Sequence, residues 1–120
     1  MKTIKFLYIM AVLVSANILL AKVNPDSLFK SILPNNKDDR AKLKIVKLKL
    51  EQNNWDNYEI QGLLSQKQLE LALEIGDKKE TAEAYKNVGS VAFRETRYSD
   101  AINALNSGYR IATEIKDYEM

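Results

Sequence analysis

The sequence predicts an all-α fold built of antiparallel helical hairpins, and three observations carry the prediction. Both prolines, Pro25 and Pro34, precede residue 35, so no proline interrupts a helix in the rest of the chain. Apolar residues beyond that point recur mostly at helical spacing, and 4 glycines are too few for the turns of an all-β sandwich. The small residues Gly89, Ala101 and Gly108 have the spacing at which two antiparallel helices touch closely.

Composition limits the kinds of chemistry that the chain can perform. Its 120 residues suffice for one small domain, and a content of 46% hydrophobic and 28% charged residues favours a globular one. The absence of cysteine and histidine excludes thiolate nucleophiles, imidazole bases and the usual zinc sites. No carboxylate pair is marked for catalysis, so we expect no enzyme, no catalytic residue, no metal site and no cofactor. The 18 basic and 16 acidic residues nearly cancel, which argues against a nucleic-acid partner.

Residues 1–21 have the parts of a secretory signal peptide. Lys2 and Lys5 precede the apolar run Phe6–Val14, and small residues follow it. Cleavage after Ala21 or, alternatively, after Ala16 fits the pattern. The apolar segment is shorter than the roughly 20 residues that a membrane-spanning helix needs. We therefore expect export to the periplasm or the outside, with an uncleaved membrane anchor as the alternative.

Residues 22–36 are predicted to be a linker that holds one short helix. This helix would run from Asp26 to about Leu33, with Asp26 or Ser27 as its N-cap. Pro34 would end it, because proline cannot continue a helix.

Residues 37–120 are predicted to form one domain of four longer helices. The expected spans are Asp38 to about Gln52, Asp56 to Ile75, Lys78 to Arg94 and Ser99 to Lys116. Residues 42–50 alternate like a strand, but their helical neighbours and the repeat favour a helix. Gly76 stands where a helix C-cap is expected, and Ser99 is the predicted N-cap of the last helix. The predicted buried face of that helix comprises Ala101, Ile102, Leu105, Tyr109, Ala112 and Ile115.

The chain partly matches itself after a shift of 40 residues. The sequence L-A-L-E-I-G-D at residues 71–77 lies over I-A-T-E-I-K-D at residues 111–117, and Tyr58 lies over Tyr98. A fixed period in this range is typical of solenoids of helix pairs. We divide the domain into a degenerate repeat at 38–77 and a clearer repeat at 82–117.

The clearer repeat resembles the tetratricopeptide (TPR) family. The matching positions are Tyr85, Val88-Gly89, Ala101-x-x-x-Leu105 and Gly108, whereas Ala92, Leu105 and Thr113 depart from the usual Tyr, aromatic and Pro. The resemblance implies a TPR-like right-handed solenoid. With E-I-G-D-K-K at residues 74–79, the region 26–120 is similar to the exported N-terminal TPR regions of Bacteroidetes-type sensor kinases and regulators.

The resemblance also implies a binding groove, lined by the first helix of the clearer repeat. Carried over by position, the groove residues are Glu83, Lys86, Asn87, Ser90, Phe93 and Arg94. Some family members clamp a peptide carboxylate there with Lys and Asn. Lys86 occupies the first clamp position, but Ser90 stands where Asn would be needed. The competing interpretation is an ordinary solvated helix face.

The expected function is therefore a protein-interaction or sensor module that binds a protein or peptide. The alternatives are a structural fragment with no activity of its own and a chaperone-like binder of peptides. We expect membrane contact only through an uncleaved N-terminal segment. Self-association through the last helix is a further option, because Ile111 and Ile115 would be exposed on its stacking side. Trp55 and Tyr58 are interpreted as a hydrophobic anchor between hairpins, with a ligand platform as the alternative.

Overall fold

A computed structural model describes residues 22–35 and 37–119, with side chains described as far as residue 116. The predicted signal peptide and its cleavage sites lie outside the described residues. Within the described ranges the chain forms five helices and no strand, so the all-α prediction is confirmed. The helices are α1 (Pro25–Ile32), α2 (Asp39–Asn53), α3 (Tyr58–Ile75), α4 (Lys78–Arg94) and α5 (Tyr98–Glu119). The strand-like stretch 42–50 is helical and lies within α2.

Side-chain caps set where four of the helices begin. Asn24, Asp38, Asn57 and Asp77 each accept a hydrogen bond from a backbone N–H three residues later, at 2.7–3.1 Å. These bonds satisfy amide groups that have no partner inside the helix. At the end of α3, Gly76 adopts the left-handed conformation with φ 76°, as predicted for a C-cap.

Two of the predicted caps are wrong. The N-cap of α1 is Asn24 rather than Asp26 or Ser27, because Pro25 takes the first helical position. The last helix begins at Tyr98, so Ser99 lies inside its first turn. The carbonyl of Arg97 accepts the first intrahelical bond there, from the Ala101 N–H at 3.0 Å.

Contacts between side chains show how the helices are arranged. Arg40 at the start of α2 pairs with Asp77 after the end of α3, so these two helices are antiparallel. Asn87 of α4 donates to Gln68 of α3 at 2.8 Å, and Gly62, nearer the start of α3, faces Val91, nearer the end of α4. The helices α2 and α4 therefore lie side by side and run in the same direction.

The hairpin of α4 and α5 depends on its small residues, as the sequence predicts. A Cβ at Gly89 would lie 2.7 Å from Leu105 Cγ, and a Cβ at Gly108 would lie 3.1 Å from the Ala82 carbonyl oxygen. Ala101 is only 2% exposed. The close approach of the two helices is therefore confirmed.

The main apolar core lies between α1, α2 and α3. Its buried members are Leu33, Leu43, Val46, Leu50, Leu64 and Leu71, with Phe29 and Ile32 of α1 packed against them. The short helix thus covers the core of the first hairpin. The predicted linker segment therefore contributes Phe29, Ile32 and Leu33 to the core.

The predicted buried face of α5 is largely wrong. Ala101, Ala104 and Gly108 point inward, whereas Ile102, Leu105, Tyr109 and Ala112 are exposed. Ile111, predicted to be exposed, is half-buried, and so is Ile115, which the sequence assigned both to the buried face and to the exposed stacking side. The physical reason is the close contact with α4, where Ala101, Ala104 and Gly108 let the two helices approach. The larger Leu105 is accommodated at this contact because Gly89 opposite it has no side chain.

Candidate functional site

A groove runs between α2 and α4. Near the start of α4, Lys47 Nζ lies 3.1 Å from the Glu80 carboxylate and 3.5 Å from the Glu83 carboxylate. At the other end, the guanidinium carbon of Arg94 lies 4.4 Å from the centre of the Trp55 ring, which belongs to the turn after α2. The groove is therefore bridged by an ion cluster at one end and by a cation–π contact at the other.

The structure brings five of the six predicted groove residues into two adjoining pockets. Glu83 and Asn87 line the first pocket, Ser90, Phe93 and Arg94 line the second, and Lys86 lines neither. Trp55 lines both and separates them. All six side chains lie on α4, in keeping with their helical spacing.

The first pocket has a volume of about 230 Å³ and a polar floor. Gln68 is fully buried there, and its Oε1 accepts the hydrogen bond from Asn87. Its Nε2 is buried and has no hydrogen-bond partner within the described part of the chain. A buried unpaired donor costs about 1–3 kcal/mol, so this amide lowers the stability of the pocket floor.

The second pocket has a volume of about 430 Å³ and is more apolar. Trp55, Phe93 and Leu105 supply its apolar walls, and Ser90 and Arg94 complete it. Phe93 is 61% exposed and contacts Tyr98 edge to face, with ring centres 5.5 Å apart. The groove thus offers an apolar pocket beside a polar one, and ligand sites commonly combine apolar walls with a few polar groups.

The carboxylate clamp that the family resemblance suggests at Lys86 and Ser90 has little support from the geometry. Lys86 is exposed, and the Ser90 hydroxyl donates to the Lys86 carbonyl oxygen at 2.9 Å. The hydroxyl is therefore occupied by its own helix. The side-chain amides that line the first pocket belong instead to Asn87 of α4 and Gln68 of α3.

Trp55 is the groove residue that the sequence pattern did not place there. It follows Asn54, and both adopt positive φ angles, 43° for Asn54 and 67° for Trp55. This turn directs the indole toward α4, where Arg94 covers it, and Tyr58 contacts it at 6.2 Å between ring centres. The consecutive asparagines before the single tryptophan are the sequence signal that marks this unusual turn.

At the end of the groove near the start of α4, Lys47 and the carboxylates of Glu80 and Glu83 stabilise one another. Partial burial of Lys47 disfavours its ammonium, but the hydrogen bond to Glu80 and the charge of Glu83 outweigh it. The net result is a raised pKa for Lys47. The lysine therefore stays charged at neutral pH and keeps both carboxylates close to α2.

Residues 22–35 and 37–119 offer neither a metal site nor a membrane-spanning helix. No group of three or more acidic, His or Cys side chains in this part could hold a metal ion. In the same part of the chain, no helix is both long and apolar enough to cross a membrane. In comparisons with known proteins, the chain matches no family model, no curated protein and no solved structure.

Proposed function

We propose that this chain is a non-enzymatic protein-interaction module whose α2–α4 groove binds a peptide or a short helix. The observation that carries the proposal is the pair of adjoining pockets that share Trp55. Helix-lined grooves of this kind recognise an extended or helical segment through a few anchors. One apolar anchor side chain would fill the second pocket, and a backbone or carboxylate oxygen would meet the amides of Asn87 and Gln68.

We further propose that the two hairpins are TPR-like units of a right-handed solenoid, and that the chain is exported and has a sensory or regulatory role. The support is the sequence itself: the TPR-like positions in repeat 82–117, the 40-residue self-match and the signal-peptide pattern at residues 1–21. N-terminal sequencing of the protein from its native cell tests the export proposal. A start after residue 16 or 21 supports it, and an intact Met1 in the cytosolic fraction contradicts it.

Peptide display tests the binding proposal, because it requires no identified ligand. Random peptides would be selected on the full chain and measured by fluorescence anisotropy. We expect Arg94→Ala to weaken the selected peptides by about 10-fold, since it removes one wall of the second pocket. Lys79→Ala is the matched control, because it removes an exposed cation of α4 that lines neither pocket. Failure to select any binder, or equal affinities for the two variants, would contradict the proposal.

A further inference from the structure

One side of α5 carries a largely uncovered apolar surface. We call it the α5 stripe, and it consists of Tyr98, Ile102, Leu105, Tyr109 and Ala112. The four large members are 54%, 59%, 41% and 75% exposed, in chain order. Their spacing alternates between four and three residues, which is the spacing of the seam along which two helices pack. The stripe therefore fits a helix better than a flat surface or a small molecule.

In the first hairpin, the face of α3 that corresponds to the α5 stripe is covered by α4. Forty residues before the α5 stripe, α3 carries Gly62, Ser65, Leu69 and Ala72. Ser65 and Ala72 are fully buried, and Val91 of α4 lies 3.4 Å from the place where a Cβ of Gly62 would be. On α3 this face is thus packed beneath a helix. On α5 three of the same positions hold larger apolar side chains, Ile102, Leu105 and Tyr109. Leu105 packs in part against Gly89 of α4, whereas no helix in the described part of the chain covers Ile102 or Tyr109.

We propose that the α5 stripe is the interface of a homodimer in which α5 packs antiparallel on α5 of a second copy. The seam residues alternate between heptad positions a and d, and in an antiparallel pair each a position faces a d position of the other helix. In this register Tyr98 faces Tyr109 of the second copy and Ile102 faces its Leu105. Two aliphatic layers then lie at the centre and two aromatic layers lie outside them. The small Ala112 leaves room at each end for Phe93, which contacts Tyr98.

Charge and area both favour a second copy as the occupant. Ser99, Asn106 and Thr113, which flank the stripe on its solvent side, are uncharged, so a two-fold axis brings no like charges together there. From the exposed fractions, the stripe and Phe93 offer roughly 550 Å² of side-chain surface per chain. A symmetric pair would bury at most about 1,100 Å², which clears the roughly 1,000 Å² expected of a biological interface and corresponds to a weak dimer. Two-fold pairing also closes the assembly, whereas a head-to-tail contact would continue into a filament.

Sedimentation equilibrium of the full chain tests the proposal first. We expect a monomer–dimer equilibrium that Ile102→Glu shifts toward monomer, raising the dissociation constant by at least about 10-fold. Asn103→Glu is the matched control, because it adds the same charge to the neighbouring exposed position outside the stripe. It should change the constant by less than about 2-fold. A monomeric wild-type chain, or an association that Ile102→Glu leaves unchanged, would overturn the proposal.

Engineered cysteines test the register, since the natural chain contains none. In the proposed pairing, a Tyr98→Cys chain mixed with a Tyr109→Cys chain should form a mixed disulfide under mild oxidation. Each variant alone should crosslink poorly, because equivalent positions lie far apart in an antiparallel pair. Efficient crosslinking of either variant with itself would overturn the antiparallel pairing. Leu105 and Phe93 belong to both the interface and the second pocket, but the substituted residues Tyr98, Ile102 and Tyr109 line neither groove pocket, so these variants leave the pocket walls intact.

Discussion

Arg94 covers Trp55: its guanidinium carbon lies 4.4 Å from the centre of the indole ring. The same guanidinium lies 5.9 Å from the centre of the Tyr58 ring. The end of α4 is thereby attached to the turn between α2 and α3. The contact both shapes the second pocket and contributes to the stability of the groove.

Removal of this contact should lower stability and change the environment of the tryptophan. We expect Arg94→Ala to reduce the free energy of unfolding by about 0.5–1 kcal/mol, the usual value of an exposed cation–π pair. Arg110→Ala, which removes an exposed arginine of α5, is the control and should have little effect. Urea denaturation followed by the fluorescence of the single tryptophan measures both quantities. An unchanged emission maximum in Arg94→Ala would mean that the ring contact does not persist in solution.

Two of the helical glycines, Gly108 and Gly62, should respond in opposite ways to alanine. A methyl group at Gly108 would lie 3.1 Å from the Ala82 carbonyl oxygen and 3.2 Å from Tyr85 Cβ. Because a backbone oxygen cannot easily move away, we expect Gly108→Ala to destabilise the chain by about 1–3 kcal/mol. At Gly62 the nearest atom is Val91 Cγ1 at an ordinary 3.4 Å. There alanine should be neutral or stabilise by up to about 1 kcal/mol, since it favours the helix. Thermal denaturation of both variants compares them, and equal effects would contradict the close packing of α4 and α5.

These glycines also show how much of the fold the sequence reveals. The spacing of Gly89, Ala101 and Gly108 predicts the close helix pair, and the α4 boundaries agree with the prediction. The prediction for the buried face of α5 is wrong because hydrophobicity alone favours the large residues as core. Because the backbones of α4 and α5 approach closely, the small Ala104 is buried between them, whereas the large Tyr109 is exposed to solvent.

The candidate site is predictable only in part, for a related reason. The family resemblance predicts a groove lined by Glu83, Asn87 and Ser90, and in the structure these residues line the two pockets. It says nothing about Trp55, whose direction depends on positive φ angles in a turn. It also cannot show that Gln68 is buried with an unpaired amide, because that depends on how α3 packs against α4.

The Asp77 cap should make stability depend on pH in the acidic range. The backbone N–H of Glu80 and, to a lesser degree, Arg40 lower the pKa of Asp77 below its ordinary value of 3.8. A lowered pKa adds stability that is fully present above the unfolded-state value and is lost as pH falls through the folded-state value. Asp77→Asn keeps a capping oxygen without the charge. Its deficit relative to wild type should therefore be constant near neutral pH and shrink below about pH 3.8.

Two further measurements complete this test. Asp77→Ala removes the cap altogether and should cost about 1 kcal/mol at pH 7. Guanidinium denaturation at pH 7 and pH 3 compares the three proteins. If the difference between wild type and Asp77→Asn grew on acidification, the assigned direction of the pKa shift would be wrong.

Lys47 should make a salt-dependent contribution to stability through its contacts with Glu80 and Glu83. Lys47→Met keeps the aliphatic stem and removes the charge, so we expect a loss of about 0.5–1 kcal/mol at low salt that decreases at high salt. Lys44→Met is the control, since this exposed lysine of α2 has no ion pair among those of the described residues. Because the pKa of Lys47 is raised, its contribution should persist at neutral pH and disappear only as pH rises above about 10.5. Urea denaturation at two salt concentrations checks the first expectation, and equal losses for the two variants would contradict it.

The most direct test of the proposed groove is an NMR titration of the isotopically labelled full chain with a peptide selected by display. The proposal predicts that the largest shifts occur at the Trp55 indole N–H, the side-chain amides of Asn87 and Gln68, and the backbone of residues 83–94. Arg94→Ala should weaken these shifts, while Lys79→Ala should preserve them. Shifts concentrated on α1 or on the outer side of α5, with the Trp55 indole unchanged, would contradict it.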